Sequence, residues 1–398
     1  MKRIFSSDLV RIITVVLLGS LSISILQPIM PLYLTSIGII PTVLGLMVSV
    51  AMVGMVLGEG SGGWITDKLG LKFPMGIAAL VCALVVFSFT LTQKLPLIFL
   101  LFFLWGIARS MIFPVGRGYI GAAAPLMKKA TFMAIYASIM AAVRSLAAFV
   151  GGFIVDWRGF PSVFFISSGV ALLSGIMAVT GLRGIRPLKD ELPAVPALTD
   201  QIPPVGPIYR SRPVIILCTA AILQHLEMGI SGTFLPLLAT QVAGATATEV
   251  GIIFTVSGLV TMVLLFPMGW LADRYGKRDL MILGIIISAS GMVGLAFAQN
   301  FSWIIVFVSI RSLGMAMFSP AAVALLSGNV PRQQQSTVMG IYGACEDIGI
   351  IAGSTLGGFL WSIWGQQLTF ITGAITSGLG VLLCLSLTRD QVAQKAGY

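Results

Sequence analysis

The chain has 398 residues, of which 57% are hydrophobic and only 10% charged, and its mean hydropathy is +1.01. Soluble domains carry about a quarter charged residues, so this composition excludes an ordinary water-soluble protein. The net charge of +10 raises the question of a nucleic-acid partner. The distribution of that charge along the chain excludes such a partner, as shown below.

Apolar runs long enough to cross a bilayer of about 30 Å as helices recur along the chain. Backbone groups in lipid must be satisfied internally, and the alternation typical of a membrane barrel is absent, so we predict an all-α membrane protein. We number the runs spans 1 to 12. Spans 1 to 6 are Leu9–Leu34, Thr42–Ile65, Pro74–Thr92, Pro96–Tyr119, Thr131–Val155 and Pro161–Leu182. Spans 7 to 12 are Pro213–Leu238, Thr248–Ala272, Leu280–Ala298, Phe301–Leu326, Thr337–Trp361 and Leu368–Leu387.

The segment 183–212 divides the chain nearly in half. It is rich in proline and charge and has no apolar period, which is typical of an irregular linker. We therefore expect residues 1–182 to form one six-helix bundle. Residues 183–212 would be a cytoplasmic linker, and residues 213–398 a second six-helix bundle with a short cytoplasmic tail.

The cations are distributed unevenly about the predicted spans. With both termini inside, 18 of the 24 Lys and Arg residues fall on the cytoplasmic side, and only Lys94 and Arg158 fall outside. This is the positive-inside rule, so the net charge reflects topology rather than nucleic-acid binding. We expect a multi-pass protein of the cell (inner) membrane with both termini cytoplasmic. The four cysteines lie inside apolar runs without paired spacing, so we expect neither a disulfide nor a metal site.

A ten-residue motif at 63–72 recurs 206 residues later at 269–278. Both copies carry glycine, tryptophan, aspartate, a cation, glycine and a second cation at the same offsets. Apart from the tryptophans, the matching residues are Gly63, Asp67, Lys68, Gly70 and Lys72, then Gly269, Asp273, Arg274, Gly276 and Arg278. Other segments match at the same offset, including residues 151–153 with residues 357–359. The pattern indicates an internal duplication of six spans.

The two copies resemble the loop signature of the major facilitator superfamily, Gly-x-x-x-Asp-Arg/Lys-x-Gly-x-Arg/Lys, between the second and third spans of each half. The resemblance covers essentially the whole chain. It implies twelve transmembrane helices in two pseudo-symmetric six-helix bundles that work by alternating access. The motif is then interpreted as a tight cytoplasmic turn and a gating latch, in which Asp67 meets the N-terminal dipole of span 11. A turn that only enforces topology is the simpler alternative.

Eight charged side chains fall within the predicted spans, and each costs several kcal/mol unless it is paired or hydrated. Glu59 and Arg109 lie at similar depth and form a feasible pair. Burial raises the pKa of a carboxyl group and a nearby arginine lowers it, so intramembrane carboxylates are candidate proton sites. Structural ion pairs are the alternative. The candidates for proton coupling or the substrate cavity are Glu346, Asp347, Glu227, Glu59, Arg109, Arg144, Arg311, Gln27 and His225.

Three of these candidates have particular settings. Glu346 and Asp347 are adjacent on a helix, so they point about 100° apart and cannot both face one partner. His225 is the only histidine of the chain and is either a proton relay or a hydrogen-bonded filler.

Glycines at every fourth position mark helices that pack closely. Span 2 carries Gly54, Gly58 and Gly62, and span 11 carries Gly349, Gly353 and Gly357. The hypothesis from this pattern is that spans 2 and 11 slide across the interface between the two halves.

No motif of a hydrolase, metalloenzyme or ATP-binding domain is present, so we expect no enzymatic activity and no cofactor. The short loops and span 4 resemble the drug/metabolite:proton antiporter branch, which implies proton-coupled efflux of amphipathic or drug-like molecules. An importer, a facilitator or a lipid flippase on the same scaffold is the alternative. A non-transporting membrane sensor is the third. The expected partners are a small-molecule substrate, protons and the lipid bilayer, and we expect a monomer.

Overall fold

A computed structural model describes residues 7–70, 72–123, 129–181, 211–331 and 334–387. Within these ranges, the side chains of residues 7–10, 61–64, 66–69, 113–123, 129–138 and 336 lie outside the description. All regular structure in the described ranges is helical, so the predicted all-α class is confirmed.

Every predicted span corresponds to a helix. The first six are Ser7–Leu26 with Ile29–Ser36, Pro41–Leu69, Lys72–Ser88, Leu95–Ala123, Lys129–Arg158 and Phe160–Gly181. Span 7 is Arg212–Leu237 with a π-helical turn at Leu238–Val242, and spans 8 to 10 are Ala247–Tyr275, Lys277–Phe297 and Phe301–Gly328. Spans 11 and 12 lie within Gln335–Leu385, on either side of a non-helical residue, Gly365.

The helix starts follow from the sequence. Pro41, Pro96, Pro161 and Pro213 each occupy the first or second position of a helix. Proline is favoured there because its missing N–H would have no partner within the helix. Asn300 precedes span 10 and caps its first turn through its side chain.

The helices have the length and composition of membrane spans. Of the described helices, nine are long and apolar enough to cross a bilayer, and ten if the bent pair of span 1 counts as one. This count treats Thr337–Leu385 as one helix although Gly365 breaks it. It leaves out Lys72–Ser88, which is apolar but shorter. Large apolar side chains face outward in mid-helix, such as Phe266 with 84% exposure. A surface of this kind fits lipid rather than water, so the described helices are suited to cross a bilayer.

Proline distorts spans 1 and 7. Span 1 bends by 40° at its break, where Gln27 and Pro28 form a turn. In span 7, Pro236 directly precedes the π-helical turn Leu238–Val242. Proline removes one backbone donor and crowds the preceding turn, which explains both irregularities.

Both copies of the repeated motif form the predicted tight turn. Gly70 follows the last residue of span 2 with φ +75°, and span 3 begins at Lys72. Gly276 separates spans 8 and 9 with φ +109°. Residues with a side chain rarely adopt such φ values, so glycine allows the chain to reverse within one or two residues.

The chain divides into two compact units. The first comprises Met1–Ile39, Met47–Pro193 and Ala245–Thr255, and the second Ile40–Leu46, Ala194–Gly244 and Val256–Tyr398. The first turns of spans 2 and 8 thus belong to a different unit from the rest of their helices. The domain limits 1–182, 183–212 and 213–398 stay a prediction.

In the first unit, serine side chains join spans 1 and 6. The hydroxyls of Ser22 and Ser167 each donate to the other residue's carbonyl oxygen, at 2.8 and 2.7 Å. Ser174 donates to the carbonyl oxygen of Val15 at 2.8 Å. In an apolar environment such bonds satisfy buried hydroxyls and hold two helices in register.

In the second unit, the glycines of span 11 pack against span 7. A Cβ at Gly353 would overlap the backbone of Leu226, and a Cβ at Gly357 would overlap the ring of Phe234. In the first unit, Gly54 of span 2 packs against span 4. The close approach inferred from the glycine spacing is confirmed, but these glycines pack inside their own units. Spans 2 and 11 meet through other glycines, since a Cβ at Gly45 would overlap the backbone of Ser354. The hypothesis that the two spans slide past each other stays a prediction.

The duplication is visible in equivalent contacts. Inside the second unit, the Thr42 N–H at the start of span 2 donates to the Ser362 hydroxyl at 3.1 Å. Inside the first unit, the N–H of Thr248 at the start of span 8 donates to Asp156 at 2.7 Å. Each pair maps onto the other at the offset of 206 residues. The repeat seen in the sequence is thus also a repeat of specific hydrogen bonds.

Candidate functional site

A buried ion pair joins spans 7 and 10. Nε of Arg311 donates to Oε1 of Glu227 at 2.5 Å, and the Glu227 side chain is fully buried. Gly291 of span 9 packs directly against the Arg311 backbone, where a side chain would clash. The pair joins two candidates that the sequence left separate. It satisfies the requirement that a charge in lipid be compensated.

The second oxygen of Glu227 is also fully occupied. Oε2 accepts from Nε2 of Gln224 at 2.7 Å and from the hydroxyl of Ser288 at 3.0 Å. Gln224 and Glu227 are three residues apart and therefore share a face of span 7. Since a carboxylate only accepts hydrogen bonds, these contacts identify Nε2 as the amide atom that faces Glu227. With Arg311, Glu227 thus accepts three hydrogen bonds.

A second pair links span 7 to span 11. Nε2 of His225 lies 3.5 Å from Oε1 of Glu346, and the two side chains are 11% and 33% exposed. Nδ1 of the same ring lies 3.0 Å from the carbonyl oxygen of Ala221, one helical turn earlier. A carbonyl oxygen only accepts, so Nδ1 carries a hydrogen and Nε2 is the nitrogen that faces the carboxyl group.

This geometry gives the His225–Glu346 pair a defined proton count. With Nδ1 already protonated, the pair carries no net charge when one proton lies between Nε2 and Oε1. That proton makes either a neutral imidazole facing a carboxylic acid or an imidazolium facing a carboxylate. Without it, a nitrogen lone pair faces a carboxylate, and the pair carries one negative charge. The pair is therefore chemically able to bind and release a single proton.

The structure does not assign a role to the other predicted cavity residues, so their roles stay predictions. Asp347 follows Glu346 and points about 100° away from it. The Arg109 guanidinium lies 5.2 Å from the Trp105 ring centroid, a cation–π distance. Glu59 and Arg144 are exposed along spans 2 and 5, and Gln27 is exposed at the bend of span 1. The Glu59–Arg109 pair stays a prediction.

Of the gating motif, the second copy is described more fully. The carboxylate of Asp273 lies 3.7 Å from Lys277, and the Arg274 guanidinium lies 5.3 Å from the Trp270 ring centroid. Arg278 donates to the carbonyl oxygen of Leu385 at 2.8 Å. Gly269 has open space beside it. In the first copy, Lys72 lies over the Phe73 ring. The burial and contacts of Gly63, Asp67 and Lys68 lie outside what the structure describes.

Sequence reasoning did not identify Ser288 or Gln224 as members of the Glu227 cluster. The available signal was the need for donors around a carboxylate in mid-span, which small polar residues on neighbouring spans can supply. It also missed Asp156, whose position is equivalent to that of Ser362 in the other repeat. The offset of 206 residues would have identified that equivalence.

Paired charges buried halfway along membrane helices are typical of proteins that move ions or solutes across the bilayer. The family model "Major Facilitator Superfamily" matches residues 12–226 and 217–397. The chain belongs to the Major Facilitator Superfamily.

Relatives and solved structures agree with this assignment. The chain is 24% identical over 376 residues to an uncharacterized MFS-type transporter of Methanocaldococcus jannaschii, covering 93% of this chain and 95% of the relative. It is 22% identical over 346 residues to Multidrug resistance protein 2 of Bacillus subtilis, covering 86% of each. A crystal structure of a mutant of the nucleoside transporter NupG matches with a TM-score of 0.82 at 12% identity. That match covers 95% of this chain and 99% of the other. The twelve-helix fold of the superfamily is confirmed.

Proposed function

We propose that the protein is a secondary active transporter that exports amphipathic or drug-like small molecules in exchange for protons. The observation that carries this proposal is the His225–Glu346 pair, a one-proton site halfway along span 7. Its carboxyl side chain is one-third exposed, whereas Glu227 is fully buried and accepts three hydrogen bonds. A carrier that exchanges protons needs a carboxyl group that solvent can reach, and Glu346 meets this requirement.

The names of relatives support the substrate class. The Bacillus subtilis protein named Multidrug resistance protein 2 matches along 86% of both chains. Multidrug resistance proteins act on drug-like solutes, and the proposal extends that class to this chain. The two carboxylates Glu346 and Asp347 would favour a cationic amphiphile through their negative charge. The test below therefore compares cationic, neutral and anionic solutes.

The proposal includes an orientation and a cycle. Residues 1–182 and 213–398 act as two bundles joined by the linker 183–212, and the path for the solute opens to each face in turn. The linker and both termini are cytoplasmic, because most cations then lie on that side of the cell (inner) membrane. The repeated motif, with Asp67 in its first copy, acts as a latch on the cytoplasmic face. The working unit is a monomer.

Flux in proteoliposomes tests the function. Purified protein is reconstituted, a pH gradient is imposed, and the movement of protons and of matched cationic, neutral and anionic fluorescent amphiphiles is recorded. We expect solute and protons to move in opposite directions. Glu346→Gln should abolish uphill movement while downhill exchange persists. Glu249→Gln removes a carboxylate in the first turn of span 8, away from both buried pairs and from the repeated motif, and should leave coupling intact.

Each other outcome identifies a different function. Movement of solute and protons in the same direction would indicate an importer, and flux that ignores the pH gradient would indicate a facilitator. Absence of flux for every solute, with protein confirmed as folded by a thermal shift on ligand binding, would indicate a non-transporting role. Unchanged coupling in Glu346→Gln would remove the His225–Glu346 pair as the proton site. Asp347→Asn then decides whether the neighbouring carboxylate carries the proton instead.

A further inference from the structure

The two pairs described above are close along one helix. His225 and Glu227 are two residues apart on span 7, so they lie on nearly opposite sides of it. His225 faces Glu346 on span 11, and Glu227 faces Arg311 on span 10. One pair is partly exposed and is able to bind and release a proton, whereas the other is buried and its carboxylate accepts three hydrogen bonds.

Glu227 is poorly suited to carry a proton itself. Arg311, Gln224 and Ser288 all donate to its two oxygens. Protonation would place a fourth hydrogen among three donors and leave the arginine charge uncompensated in a buried site. Arginine keeps its charge under all working conditions. The carboxylate form of Glu227 is thus the one that this network selects.

The buried pair places two opposite charges near His225. The Arg311 charge acts on His225, and the Glu227 carboxylate paired with Arg311 carries the opposite charge. Among the described residues, Asp347, Tyr342 and Cys345 on span 11 also act on the His225–Glu346 pair. Cys218 of span 7 contacts Cys345. Of these neighbours, only Asp347 is charged at neutral pH, and its charge is the same in every variant considered below.

We propose that Glu227 and Arg311 are positioning residues: each balances the charge of the other, so that neither displaces the pH at which the His225–Glu346 pair releases its proton. This inference rests on the proposed function for its biological meaning, but it concerns a protonation equilibrium that exists without any substrate. It assigns to the buried pair an electrostatic role in coupling rather than a role in carrying the proton or binding the solute.

The size of the effect follows from Coulomb's law. Groups on opposite sides of one helix are about 10 Å apart. A unit charge at that distance, with an effective dielectric constant of about 20, changes a protonation equilibrium by about one pH unit. Removal of the Glu227 charge alone should therefore shift proton release by about one unit, whereas removal of both charges should leave it near the original value.

The single histidine makes a direct measurement possible. The full-length protein is prepared with a histidine-free affinity tag and ¹⁵N-labelled histidine, so that one imidazole contributes to the nitrogen NMR spectrum. Its Nδ1 and Nε2 shifts report tautomer and proton sharing as the pH is varied in lipid nanodiscs. Glu346→Gln identifies the part of the titration that belongs to the pair.

Three variants test the inference. Glu227→Gln leaves an unbalanced positive charge, so the His225–Glu346 pair should release its proton at a pH about one unit lower. Glu227→Gln combined with Arg311→Gln restores neutrality and should return the midpoint close to wild type. Arg311→Lys keeps the charge and should leave the midpoint unchanged. If Glu227→Gln does not fold, Glu227→Met provides the same change of charge.

A purely structural role for the pair predicts a different pattern. In that case the double variant would be disturbed at least as much as Glu227→Gln, and no return of the midpoint would occur. That result, or an unshifted Glu227→Gln titration, overturns the inference while leaving proton-driven export unaffected. Conversely, if the NMR shifts are as expected but no proton-driven flux is found, the proposed function is wrong. The electrostatic link between the two pairs would then still stand.

Discussion

Asp156 at the end of span 5 caps span 8 through the backbone N–H of Thr248, at 2.7 Å, and its other oxygen accepts from Ala247 at 3.1 Å. Thr246 and Glu249 add a reciprocal capping box at the same helix start. The first three N–H groups of span 8 are therefore satisfied by side chains. The equivalent start of span 2 has a neutral hydroxyl, Ser362, in place of the carboxylate.

Loss of the carboxylate cap should lower stability. We expect Asp156→Ala to reduce the free energy of unfolding by about 1 kcal/mol, because two N–H groups lose their acceptor and the helix dipole loses a compensating charge. Thermal unfolding followed by tryptophan fluorescence measures the change, expected as a decrease of about 2 °C. Ser362→Ala, its equivalent in the other repeat, should cost less because no charge is lost. Equal costs would show that the carboxylate charge adds nothing.

The donors around Glu227 give a second prediction. Ser288→Ala removes one of the three hydrogen bonds to a buried carboxylate and should destabilise the protein by about 1 to 2 kcal/mol. Ser290 lies on the same helix but is exposed and donates to the carbonyl of Ile287, so Ser290→Ala should have almost no effect. Unfolding in a graded denaturant series compares the two. Similar losses of unfolding free energy in both variants would contradict a stabilising hydrogen bond from Ser288 to Glu227.

The close approach of spans 7 and 11 gives a third prediction. A methyl group at Gly353 would overlap the backbone of Leu226, so Gly353→Ala should cost about 1 to 3 kcal/mol through displaced helices. Gly340 lies on the same helix with open space beside it, and Gly340→Ala should be neutral or slightly stabilising. The fraction of monodisperse protein after mild heating distinguishes them. A tolerated Gly353→Ala would mean that the helices separate easily.

The proposed orientation gives a fourth prediction. Cysteines are introduced at two exposed positions, Lys94 between spans 3 and 4 and Asp273 at the end of span 8, in a Cys345→Ser background; Cys82, Cys218 and Cys384 are buried. A membrane-impermeant maleimide added to intact cells should label Lys94→Cys and leave Asp273→Cys unlabelled. Permeabilised cells should show labelling at both positions. The reverse pattern in intact cells would invert the topology.

Much of the fold was predictable because its signals are strong and local. Apolar runs defined the helices to within a few residues. Glycines in the repeated motif located two turns, since Gly70 and Gly276 both adopt positive φ. The repeat itself pointed to the superfamily, which the family model then confirmed.

The partners of the charged residues were not predictable in the same way. Each helix presents several faces, and the spacing within one helix does not specify which neighbour each face meets. Glu227 was predicted as an intramembrane charge, but its pairing with Arg311 depends on the packing of spans 7 and 10. The same limit applies to Gly353, whose spacing marked a close contact but did not specify span 7 as its neighbour.

Gly365 joins spans 11 and 12 with a single non-helical residue, at φ +77° and ψ −170°. With no loop to spare, the last two spans form a minimal helical hairpin, and a side chain at the joint would strain the backbone. An epitope or a fluorescent reporter inserted there would force the hairpin apart. The connection around Lys94, which has several non-helical residues, is a better place for such a reporter.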